Sequence, residues 1–126
     1  MSKELLHLFT AIKQEHLEQV KVAIKNHPSL VNMKDDKGNT ALLMAAQGKT
    51  TDIVDALIKH HASVNYQHPK SGQTALMLAA QNGRLQNVKY LLEHNANATI
   101  KDAHGKTVAD YAKESNNKDL MALFQS

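Results

Sequence analysis

Apolar residues recur along the chain in paired short runs at helical spacing, each pair set off by polar turns. Leu5, Leu6, Leu8, Phe9 and Ile12 mark one face of a first helix, and Leu17, Val20, Ala23 and Ile24 a face of a second. Leu42, Ala45 and Ala46 are followed by Ile53, Val54, Leu57 and Ile58, then Leu76, Ala79 and Ala80 by Val88, Leu91 and Leu92. A last pair holds Ala109 and Ala112, then Leu120, Met121, Leu123 and Phe124. The spacing is fixed: Thr40 and Thr74 are 34 positions apart, Thr74 and Thr107 are 33 apart. A constant period in this range means one helical unit stacked on copies of itself. The expected fold is therefore all-α, a solenoid of helix-turn-helix units joined by hairpin-like loops.

Four units divide the chain at 1–34, 35–67, 68–101 and 102–126, as one domain. Within each, Thr40, Thr74 or Thr107 is placed to cap the first helix through its hydroxyl. Gly38 supplies a turn that needs positive φ. The second tip gains one residue around His68-Pro69-Lys70-Ser71, which a turn absorbs and a packed helix would not. The first unit lacks the shared core stretch. It keeps the shape, because Val20 and Ile24 lie 33 before Ile53 and Leu57. His27-Pro28 ends its second helix. Lys13, Gln14, Glu15, Glu18, Lys21 and Lys25 give it a polar side, as an end cap requires. Lys113 stands where the inner units have Ala46 and Ala80, so the array is expected to be sealed there too, ending at Ser126, and monomeric.

The repeated core reads Gly38-Asn-Thr-Ala-Leu-Leu-Met-Ala-Ala, Gly72-Gln-Thr-Ala-Leu-Met-Leu-Ala-Ala and Gly105-Lys-Thr-Val-Ala-Asp-Tyr-Ala. It resembles the ankyrin repeat, whose motif is T-P-L-H-x-A, over nearly the whole chain. The departures carry expectations. Ala41, Ala75 and Val108 replace the motif's Pro. Leu43, Met77 and Asp110 replace its His, so the hydrogen bonding of that His is expected to be lost and Leu43 and Met77 to compensate by packing. The Gly between helices survives only as Gly83, with Lys49 and Asn116 at the matching sites. His61 and Asn95 hold the Gly position before the final loop. Backbone strain is expected at Lys49 and His61.

Composition narrows the chemistry. With no Cys there are neither disulfides nor thiolate metal sites. The N-terminal residues meet a charge every few positions, which argues against a signal peptide or membrane span and for a cytoplasmic protein. Fifteen basic residues against 12 acidic give +3, but Arg84 is the sole Arg, and no dense basic stripe marks a nucleic-acid binder. Eight His include a ladder, His27, His60 and His94, at the ends of the second helices. Two such rings could meet on one ion, yet a His near a helix C-terminus also serves the free carbonyls; His60, His61 and His68 are expected to be solvated. Gly48-Lys49-Thr50 lacks the leading Gly of a phosphate loop. Met33, Met44, Met77 and Met121 follow the core spacing or line the groove, and Tyr90 and Tyr111 are expected to bury an edge with the hydroxyl in water. No catalytic residues, cofactor or metal are assigned.

The resemblance implies a concave face built from turn tips and inner helices, already formed before a partner protein arrives. Its positions in this chain are Asp36, Lys37, Asn39, Gln47 and Gly48. From the third unit come Lys70, Ser71, Gln73, Gln81 and Asn82, and from the fourth Ala103, His104, Lys106 and Glu114. Lys37, Lys70 and Lys106 at successive tips favour an acidic partner. The implied role is a non-enzymatic protein–protein interaction module: an adaptor, an inhibitor that occludes a toxin or enzyme, or a secreted bacterial effector. A metal-dependent regulator using the His ladder and a weak nucleic-acid-associated factor are the alternatives.

Overall fold

A computed structural model describes residues 2–125; Met1 and Ser126, the two ends of the expected array, lie outside them. Among the described residues there are eight α-helices and no strand. They are α1 (Lys3–Lys13), α2 (Leu17–Asn26), α3 (Ala41–Ala45), α4 (Asp52–Lys59), α5 (Ala75–Gln81), α6 (Leu85–Glu93), α7 (Val108–Glu114) and α8 (Lys118–Leu123). Each odd-numbered helix packs on the even-numbered helix that follows it, and α1, α3, α5 and α7 stack on one another as the inner layer. None of these helices is long and apolar enough to cross a membrane.

The stack closes because the inner helices are thin. Ala46, Ala75, Ala79 and Ala80 have no exposed surface, and Ala41 and Ala45 are buried with them. Larger side chains fill the layer behind: Val20, Ile24, Val54, Leu57, Val88, Leu91 and Leu120 are completely buried, each burial worth about 1.5–3 kcal/mol. Leu43 and Met77 are both buried in the same core. Leu6 departs from expectation: it is 50% exposed, because its neighbour Leu5 faces inward and each helical step turns the next side chain away. Val22 is 56% exposed and Met33 40%, so the first unit is less sealed than its polar residues suggest. α2 stops at Asn26, and Pro28 opens a 3-10 turn, Pro28–Asn32, that returns Leu30 and Val31 to the core.

Caps set the register. Thr40 Oγ1 accepts the Leu43 N–H at 3.4 Å, and Thr74 Oγ1 accepts that of Met77 at 3.3 Å. Asp110 does not leave its unit poorer in hydrogen bonds. Its Oδ2 accepts the Thr107 N–H at 2.9 Å, reaching back as the acidic third residue of a capping box does.

The link between α3 and α4 corrects another expectation. Left-handed backbone occurs at Glu15 (φ 56°), Gly83 (φ 70°) and Asn116 (φ 57°), but not at Lys49. The Lys49 and Thr50 N–H groups instead donate to Glu15 Oε1 at 2.7 and 3.1 Å. From the other side, Asn87 Nδ2 donates to the Ala46 and Gly48 carbonyls at 3.1 Å and Arg84 Nε to the Gln47 carbonyl at 2.8 Å. The loop is thus held by side chains of both neighbouring units. His61 does take the left-handed form expected of it (φ 72°), as does Asn95 (φ 75°).

Outer loops are fastened by a recurring asparagine. Asn32 Nδ2 donates to the His61 carbonyl while its Oδ1 accepts the Ser63 N–H. One unit later Asn65 does the same with the Asn95 carbonyl and the Asn97 N–H. Both Asn side chains use donor and acceptor at once, so the clamp depends on the amide.

Candidate binding surface

The turn tips are tied before any partner is present. In the first, Asp35 N–H donates to the Asn39 carbonyl, and Asp35 Oδ1 accepts the N–H groups of Lys37 and Asn39. Asp102 repeats this with His104 and Lys106. The middle tip closes one residue wider, from His68 N–H to the Gln73 carbonyl, which places the insertion in the turn. His68 is half-buried and bonded where a fully solvated ring was expected: its Nδ1 accepts the Lys70 N–H at 3.1 Å and replaces the aspartate of the other tips. Neighbouring tips also touch. The Ala103 N–H donates to the Ser71 carbonyl at 2.9 Å, and Gly38 lies so close to Pro69 that a Cβ there would fall 2.4 Å from the proline ring.

Behind the tips, in the third and fourth units, the residue before the Thr cap meets the residue eight places on. Gln73 Nε2 donates to Gln81 Oε1 at 3.2 Å, and Lys106 Nζ lies 2.6 Å from Glu114 Oε2. Asn39 is held by Asp35 instead, and Gln47 donates to the Leu43 carbonyl. Asn82 likewise donates to the Leu78 carbonyl. Asp36, Lys37, Lys70, Gln81 and His104 are exposed along the rim, Ser71 is half-buried, and Lys106 is partly covered. Lys106 is therefore not a free member of a lysine row. It neutralises Glu114 and lies over the Tyr111 ring, 4.5 Å from its centre.

Two tyrosine–carboxylate pairs went unforeseen. The Tyr111 hydroxyl donates to Asp102, itself buried, and also receives a bond from Gln73 Nε2 at 3.3 Å. The Tyr90 hydroxyl donates to Asp55, which pairs with Lys59 at 3.1 Å. Both hydroxyls are thus bonded to carboxylates, where contact with water alone was expected. Burial, reinforced by the neighbouring carboxylate, pushes each tyrosine up to about 12. Burial alone would raise the Asp102 carboxyl, but bonds from Tyr111, Lys106 and His104 outweigh it and hold the group below its usual range.

The histidine ladder lies on the outer side, away from this face. His60 Nδ1–H donates to the Ala56 carbonyl and His94 Nδ1–H to the Tyr90 carbonyl, both at 2.8 Å. His94 also stacks on Tyr90 with ring centres 4.0 Å apart. The His60 and His94 rings each bond a last-turn carbonyl of their own helix. Among the described residues no three His, Asp or Glu side chains are grouped to hold a metal ion.

A family profile described as ankyrin repeats (3 copies) matches residues 8–102 and, again, residues 60–125. No curated protein matches the sequence.

Proposed function

The chain belongs to the ankyrin-repeat family, whose repeats are generally protein–protein interaction modules, and on that premise we propose that it binds a partner protein through the face formed by its tips and inner helices. The observation carrying this reading is the pre-tied surface: tips fixed by Asp35, His68 and Asp102, linked from Ser71 to Ala103, with the Gln73–Gln81 and Lys106–Glu114 pairs behind them. A surface already ordered loses little entropy on association. The proposed role is non-enzymatic, that of an adaptor, an occluding inhibitor or an effector acting by contact.

The test is site-specific photo-crosslinking in native lysate, with the reactive group at Lys70 or His104 on the rim and at Lys25 or Lys59 on the outer helices. One protein crosslinked from the rim positions alone supports the reading. Equal capture from the outer helices moves the site, and turnover of a small compound by the purified chain overturns it.

A further inference from the structure

At the first-unit end of this face lies an open depression of about 370 Å³ between α1, α3 and the loop before α6. Ile12 and Met44 line it together with three cations, Lys13, Lys49 and Arg84, and one acid, Glu15. We propose that it seats a carboxylate side chain of an acidic partner segment, with an adjacent apolar residue against the half-buried Met44. The inference rests on the partner-binding reading above and fixes where in the groove the acidic contact is made.

Three observations support it. Arg84 is half-buried and its Nε is committed to the Gln47 carbonyl, which holds the guanidinium in place and leaves its two terminal nitrogens for a two-point carboxylate contact. Among the described residues none of the three cations forms an ion pair, whereas Lys106 at the other end is neutralised by Glu114. The ordinary reason for lysines beside a helix end, service to its free carbonyls, is weak at Lys49: the Ala46, Gln47 and Gly48 carbonyls already accept from Asn87 and Arg84. Glu15 opposes an incoming acid only in part, since its Oε1 is taken up by the Lys49 and Thr50 N–H groups.

The sole Arg of the chain gives a single Nε–H resonance, so occupancy can be followed directly. The probe is a blocked peptide of alternating Glu and Leu, titrated into the full chain, with a Lys-and-Leu peptide and inorganic phosphate as controls. The expected result is a saturable shift of the Arg84 Nε–H with the acidic peptide alone. Affinity should fall about tenfold in Arg84→Gln, by less in Arg84→Lys, and not in Lys25→Gln on the outer side. Lys49→Gln, at an exposed position, should also weaken binding if Arg84→Gln disturbs the fold. An unmoved Arg84 resonance, shifts spread evenly over outer-face lysines, or equal binding by Lys49→Gln overturns the proposal, and so does phosphate acting where the peptide does not. If the peptide seats but crosslinks to the natural partner arise only from the outer helices, the pocket stands and the broader reading fails.

Discussion

Glu15 Oε1 accepts the Lys49 N–H at 2.7 Å from the unit before it, so a side chain on one repeat does what a glycine does within another. Gly83 turns the corresponding corner between α5 and α6 with φ at 70°. In the α3–α4 loop the corner is held from outside. Glu15→Ala should therefore cost about 1–3 kcal/mol, since two backbone N–H groups lose a charged acceptor. Urea unfolding monitored by circular dichroism measures it. A neutral result would show that water replaces the carboxylate without loss.

Lys49→Gly and His61→Gly should move stability in opposite directions. Lys49 is not left-handed, so glycine there only frees the unfolded chain and costs about 0.5–1 kcal/mol. His61 sits at φ 72°, a conformation that costs a residue with Cβ about 1–2 kcal/mol, and glycine should raise the melting temperature. Asn95→Gly should change little, because Asn tolerates that geometry. Stabilisation by Lys49→Gly would contradict the loop as described.

Ala79→Leu should destabilise by about 1–3 kcal/mol through overpacking, as Ala79 has no exposed surface. Leu91→Ala, from the layer behind, should cost about 2–5 kcal/mol by leaving a cavity. Thermal melts of the two variants test both halves of the packing.

Stability should decline in alkali between pH about 10 and about 12. An unfolded chain ionises its tyrosines near pH 10, while Tyr90 and Tyr111 stay protonated in the fold until about 12. The folded state therefore binds more protons across that window and loses ground as pH rises through it. Tyr90→Phe should flatten the decline, read as urea midpoint against pH alongside tyrosinate absorbance. Asp102 acts in the opposite direction. Its lowered carboxyl contributes stability above pH about 4 that disappears as acid protonates it, and Tyr111→Phe should shrink that contribution.

Helices, caps and stacking were readable because they follow from local spacing. Thr40 and Thr74 cap as their positions dictate, the Ala pairs face neighbours, and the extra residue of the second tip stays in the turn. What escaped depends on distances between units. Tyr90 is 35 residues from Asp55, and Glu15 is 34 from Lys49, so no helical period relates them. Asn87, buried and donating to Ala46 and Gly48, occupies a place that Ile53 holds one unit earlier; an amide among apolar positions was the available signal. At the candidate surface the residues could be named, but not their pairing. The separation of eight between Gln73 and Gln81, and between Lys106 and Glu114, repeats in the sequence; that it joins tip to helix required the fold.

Asn32 and Asn65 stitch the first three units along their outer loops, while the fourth is joined to the third through Ser71, Gln73 and Tyr111 on the inner side. Such a fourth unit is bound like a leaf of a book, along its spine. Loosening should begin with α8, which packs on α7 away from that spine, and the tip edge would be the last part of that leaf to come away.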